Sequence, residues 1–283
     1  MKPGQVFSGS ATAVLLTSLI VGSSGDAGAA AEPLRVRMLL VGPDTESYAS
    51  HRNGAVLGQT EGNIQGRFLG IDYVLDEVSV DEALQGGNEG ISAVIVADGR
   101  EQLMRVLEHY APLHVPVFNI SLPDMDLREQ CFDGLYQTAP SAKMLADAEA
   151  QWAQANDGEK VTAIAWHPEF VKFAGRDLNK RYTEQFSVAM DSDAWAGWAA
   201  TRSVAEAVVR TQSADPAAID ALLQDGLVFD GQKGLNQTFR DNGQLRQPLL
   251  LVDASGELVG EAPVRGVADI DDLDSLGLPG CSQ

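Results

Sequence analysis

The sequence predicts an α/β protein built on a parallel sheet flanked by helices. Three observations predict it. Between residues 34 and 121, apolar strand-like runs alternate with helix-periodic ones. Two of the runs, LRVRMLLVG (34–42) and ISAVIVAD (91–98), are apolar almost throughout. Such strands need cover on both faces, which parallel strands between helices receive. Each run also ends in turn residues, Gly42-Pro43-Asp44 and Asp98-Gly99.

The elements follow in order. After the first strand, residues 53–69 place Val56, Ile64 and Phe68 at roughly helical spacing. IDYVLDEVSV (71–80) alternates and reads as a strand. REQLMRVLEHYA (100–111) is an amphipathic helix, and HVPVFNIS (114–121) is the next strand. Ser141 or Pro140 opens a helix that runs to about Asn156, and KVTAIAW (160–166) is a strand. HPEFVKFAGRDLNKRYTEQF reads as short helices. Residues 192–213 form a long helix capped by Ser192 or Asp191. The next has Asp215 as cap, Pro216 at its first position and Gly226 past its end. The remainder is β-rich, with a hairpin around Asp253-Ala254-Ser255-Gly256 and an irregular acidic tail, 269–283.

The chain has 283 residues, 45% of them apolar, enough for one large domain or two modest lobes. It carries 40 acidic against 20 basic residues, a net charge of -20. Nucleic acid is therefore excluded as a partner, because phosphate binding needs dense Lys and Arg. The charge mildly favours cations. At the N-terminus, Lys2 precedes an apolar stretch over residues 11–21 and then the small residues Ala27-Gly28-Ala29-Ala30-Ala31. This pattern predicts a secretory signal peptide over 1–31 and an exported mature chain. The stretch is too short for an ordinary membrane span. In an exported protein, the pair Cys131 and Cys281 reads as a disulfide, with two separate thiols as the alternative. Closing so long a loop stabilises by about 5 kcal/mol on chain entropy.

Catalytic motifs are missing. There is no phosphate-binding glycine loop, no G-x-G-x-x-G, no H-E-x-x-H and no G-x-S-x-G. His51, His109, His114 and His167 lack zinc spacing. Asp269, Asp271, Asp272 and Asp274 fail the calcium-loop pattern, since position six from Asp269 is Asp274 and position twelve is Gly280. A non-enzymatic protein without a cofactor is expected.

Parallel sheets bind ligands beyond the carboxyl ends of their strands. Topology therefore nominates Asp44, Asp98, Asn119 and Ser121 as ligand-binding residues. Trp166, just after a strand, faces them from the other side unless it packs between lobes. Trp195 and Trp198, three apart on the long helix, read as core. Arg246, ahead of the apolar run 249–252, reads as a structural residue that bonds carbonyls or a carboxylate. Pro248 belongs at the start of that strand or on an edge, because it cannot donate to a ladder.

Taken together, an exported α/β chain with a second lobe entered near residue 138 resembles the type I periplasmic substrate-binding proteins of ABC transporters. Five strings resemble a subgroup associated with PQQ-dependent alcohol dehydrogenase systems. They are QTAPSAKMLADAEAQW (137–152), WHPEF (166–170), DAWAGWAATRSVAEAVVRTQSADPAAI (193–219), LNQTFRDNGQLRQPLLL (235–251) and LDSLGLPGC (273–281). The resemblance implies a first lobe over 32–138 plus the helix at 192–212, and a second lobe over 139–268. In the family, further strands and helices separate the strand at 160–166 from the WHPEF string. Here the two overlap, so the second lobe should be reduced. The implied partners are an ABC permease and a small-molecule or metal ligand, with a lanthanide ion or its chelate first. The alternative is an interaction module that docks a periplasmic dehydrogenase or transporter component, or binds PQQ, without transporting a solute.

Overall fold

The computed structural model describes residues 32–43, 45–85 and 89–281, with Met1 and Gly4. The expected leader falls almost entirely outside the described residues, and so does Asp44. The described residues from Glu32 on form one compact unit.

Five strands build the main sheet: β1 (Leu34–Val41), β2 (Ile71–Val78), β3 (Ile91–Val96), β4 (Val117–Asn119) and β5 (Leu135–Gln137). Their order is β2-β1-β3-β4-β5 and every pairing is parallel. Alternation along the strands sorts the core into two layers. Val36, Met38, Leu40, Ala93, Ile95 and Phe118 face one layer. Leu39, Val41, Val94, Val96 and Val117 face the other. This is the two-sided cover that the apolar runs require.

The helices interleave with these strands. α1 (Ala49–Leu69) leads into β2, α2 (Val80–Gln85) into β3 and α3 (Arg100–Tyr110) into β4. The short α4 (Asp126–Glu129) precedes β5. α1 begins earlier than its sequence spacing suggests, and its Gly54 is a point of close contact. A Cβ on Gly54 would lie 1.8 Å from the carbonyl oxygen of Ala194. Ala194 belongs to α7 (Ser192–Thr211), whose own Gly197 would bring a Cβ to 2.3 Å from the His51 carbonyl. The two helices thus touch backbone to backbone.

α5 (Ala142–Ala155) starts at Ser141, whose hydroxyl accepts from the Met144 amide. α6 (Gly175–Phe186) is one continuous helix where the sequence suggested short pieces. Glu61 of α1 ties it down, accepting from Arg181 Nε at 2.7 Å and from Trp198 Nε1 of α7 at 2.9 Å. Asp191 caps α7 by accepting from the Ala194 amide. α8 (Pro216–Gln224) follows its expected cap, Asp215.

A second sheet contains β6 (Thr162–Ile164), β9 (Leu249–Val252) and β10 (Leu258–Ala262), in the order β10-β9-β6 and antiparallel. The hairpin predicted around Asp253 joins β9 to β10. β7 (Phe229–Asp230) and β8 (Asn236–Gln237) form a separate two-stranded ribbon. One face of the second sheet, with Ala163, Leu249 and Leu251, packs on Met144 and Ala148 of α5.

The stretch 241–253 joins the sheets. Its turn needs glycine: Gly243 has φ +75° and a Cβ there would meet the Leu135 carbonyl oxygen at 1.8 Å. The chain then runs beside β5, with the Gln137 amide donating to the Gly243 carbonyl and the Leu245 amide to the Gln137 carbonyl. At Pro248 it crosses into β9. Arg246 steadies the approach, donating to Asp274 Oδ1 at 2.8 Å and to the Phe239 carbonyl at 3.0 Å. It is structural, as its position suggested. Cys131 and Cys281 are bonded to each other, which fastens the tail beside β4 and β5.

Candidate functional site

The main sheet ends where the second sheet begins, and a cavity of about 250 Å³ lies at the junction. Ile120 and Ser121 reach it from the end of β4. Ala139 and Pro140 come from the link between β5 and α5, residues 163–165 from β6, and Ser192, Asp193 and Ala196 from the start of α7. Its walls are small or apolar, with polar groups at a few points. That is the usual composition of a small-ligand site.

Buried polar residues shape these walls. Asn119 is fully buried; its amide nitrogen donates to the Leu122 carbonyl at 2.8 Å, and its oxygen accepts from the amides of Ser121 and Leu122. Arg128, also buried, donates to the carbonyls of Leu122, Asp124 and Ala139 and to Gln244 Oε1. Burial pushes its guanidinium down to about 9, against the pull of Asp124 and Asp126. All of these bonds but the one to Gln244 fix loop backbone on the cavity side of β4 and β5.

The border of the second sheet is held by side chains of α5 and α7. Glu149 accepts from the Ala163 amide at 3.1 Å. Ser192 Oγ accepts from the amides of Ala165 and Trp166, both at 3.1 Å. With the Ala163 amide taken by Glu149 and the two amides just past β6 by Ser192, the border strand is capped by side chains.

Asp193 is the carboxylate of the cavity wall. His51 of α1 lies 3.6 Å away through Nε2. Burial holds the Asp193 carboxyl above the ordinary range; His51 works against that and Asp191 adds to it. The side chain keeps 55% of its surface exposed, so it can meet a ligand. A hydrogen-bond donor or cation in the cavity would favour its ionised form.

The structure separates the five nominated residues. Ser121 lines the cavity, its hydroxyl donating to the Asp98 carbonyl at 3.3 Å. Asp98 sits one step behind and accepts from the Gly99 amide at 2.6 Å. Two nominations are corrected. Asn119 spends its side chain on the turn after β4 and offers a ligand nothing. Trp166 is 1% exposed, donates to Asn179 Oδ1 at 2.8 Å and packs on Phe170 and Trp195, so it belongs to the core. Asp44 lies outside the described residues. Sequence reasoning missed Asp193. Its only signal was a second acid beside a helix start that one aspartate already caps.

Solved structures share this architecture. An ABC transporter substrate-binding protein from Sphaerobacter thermophilus matches with a TM-score of 0.67 at 12% identity, over 85% of this chain and 99% of that one. A branched chain amino acid ABC transporter periplasmic ligand-binding protein from Burkholderia xenovorans matches at 0.66 and 11%, over 81% and 95%. The branched-chain amino acid transporter substrate binding protein from Streptococcus pneumoniae, solved with isoleucine, matches at 0.63 and 11%, over 81% and 98%. The fold is that of the type I periplasmic binding proteins. No protein-family model matches the chain, and no curated protein matches it by sequence. Among the described residues, no helix is long and apolar enough to cross a membrane.

Proposed function

We propose that this chain is the exported solute-binding component of an ABC transporter and takes a small organic solute between its two sheets. The carrying observation is the cavity at the junction of β4, β6 and α7, on a fold shared with transporter binding proteins. In this reading residues 32–138 with α7 form the first lobe and 139–268 a reduced second one. The periplasm is the place of action and an ABC permease the partner. The link to PQQ-dependent alcohol oxidation rests on the five sequence strings.

The cavity chemistry favours an organic ligand over a bare lanthanide. A hard cation takes about six to eight oxygen ligands, whereas Asp193 alone among the described wall residues offers a carboxylate. Among the described residues, no group of three or more His, Cys, Asp or Glu could hold a metal. A solute with an apolar body and an ammonium or hydroxyl group fits the wall better. A thermal-shift screen of amines, amino acids and short polyols, with lanthanum chloride and PQQ in parallel, tests this. The expected result is stabilisation by an organic solute that Asp193→Asn removes. Stabilisation by lanthanum alone, or by nothing in the screen, rejects it.

A second reading is a docking module for a periplasmic dehydrogenase. One observation favours it: Ile64, Phe68 and Leu69 on α1 are 54%, 88% and 45% exposed. Adjacent exposed apolar side chains often mark interaction surfaces. Co-purification of a dehydrogenase that is lost in Phe68→Ser would support it.

A further inference from the structure

A larger cavity, of about 410 Å³, shares no wall residue with the one between the sheets. It lies among the loop before α6, the loop before β8, the Pro248 crossing and the end of β10. Its size falls within the usual range for small-ligand sites.

Its charge departs from that of the chain. Lys172, Lys233 and Arg265 line it, against one carboxylate, Glu261. This is a positive wall in a protein of net charge -20. The acidic tail contributes Ile270 to the wall but no aspartate. Glu261 is engaged by Lys172. Arg265 is exposed, and no carboxylate pairs with it among the described residues.

Lys233 makes the site a built one. It is 2% exposed. Its Nζ donates to Gln247 Oε1 at 2.9 Å and to the Pro248 carbonyl at 3.2 Å, and it lies 3.6 Å from the Trp195 ring centroid. A buried ammonium is costly unless opposite charge or dipoles surround it. Here only carbonyl dipoles and a ring face do so directly, and, among the described residues, the positive charge that stands unpaired on the wall is that of Arg265. Burial also holds Lys233 well below its ordinary range, with Glu261 pulling the other way.

The rest of the wall is apolar. Phe173, Leu235, Pro248 and Pro263 supply it. Phe173 adopts φ +51° and leaves 65% of its surface exposed. A bulky residue in the left-handed region is uncommon, and such strain clusters at ligand sites. An exposed ring at the rim of a cationic cavity suits a ligand with a flat apolar body.

We propose that this cavity is a second ligand site, selective for a small organic anion with an aromatic or apolar body, whose negative group meets Arg265. The site is independent of the cavity between the sheets.

Titration calorimetry of the mature chain with three probes of one shape tests this: phenylacetate, the neutral phenylacetamide and the cationic phenethylamine. Phenylacetate is expected to bind and the other two to bind at least about tenfold more weakly, the worth of one charged hydrogen bond. Arg265→Gln, on the surface, should weaken phenylacetate by a similar factor and leave the melting temperature unchanged. Amide chemical shifts should move at Leu235, Arg265 and Ile270. Three results overturn the proposal: no phenylacetate binding at millimolar concentration, equal binding of the neutral probe, or shifts at Ser121, Ala163 and Ser192 instead. Failure of the organic-solute screen at the other cavity would leave these readouts unchanged.

Discussion

In the five-stranded sheet, β1 and β3 have hydrogen-bonded neighbours on both sides and apolar layers on both faces. In the three-stranded sheet, only β9 is so placed, and β6 ends the sheet, with the Ala163 amide held by Glu149 and the amides just past the strand by Ser192. The first sheet is therefore stabilised chiefly by area removed from water. The second depends on individual polar contacts with its neighbours. This division suits a site between them: one wall is a rigid platform, and the other is attached by bonds that can be exchanged.

The largest expected effect lies in the platform. Phe118, fully buried and in contact with the rings of Tyr136 and Phe239, should cost about 3–5 kcal/mol on Phe118→Ala in urea denaturation. Reducing the bond between Cys131 and Cys281 should cost about 2–4 kcal/mol. Leu251→Ala in the small core should cost about 2–3 kcal/mol, the low end for leucine, because α5 can settle onto it. If it costs as much as Phe118→Ala, the two sheets are equally well packed and the contrast fails. Glu149→Ala should cost about 1 kcal/mol and speed hydrogen exchange at the Ala163 amide above all.

The smallest effect is one of acidity. Burial raises the Asp274 carboxyl, but hydrogen bonds from Arg240 and Arg246 outweigh it and hold it below the ordinary range. Its contribution is present above the unfolded value, near about 3.9, and is lost as pH falls through the lower folded one. Hydrogen exchange across 273–276 should accelerate there, and Asp274→Asn should abolish that acid dependence.

Much of the platform was legible because two-sided burial writes itself as mostly apolar runs, as in 34–41 and 91–96. β4 was overestimated: the run 114–121 reads as one strand, but only Val117–Asn119 joins the ladder. The reason for Gly54 was not legible, because local propensity cannot see a helix that arrives from residue 192. The second sheet was harder, since its short strands are defined by partners distant in sequence. At the site, strand ends led to Ser121, which lines the cavity. They misled at Asn119, whose side chain serves its own turn, and at Trp166, whose indole is satisfied by Asn179. Asp193 was hidden because an acid in the first turn of a helix already has a local reason to be there.

The capped border of β6 also bears on how the protein behaves at high concentration. With the Ala163 amide held by a carboxylate and the Ala165 amide by a hydroxyl, another molecule cannot zip onto that margin without first evicting both groups. Resistance to strand-by-strand polymerisation there is set by two side chains, and so can be tuned one atom at a time.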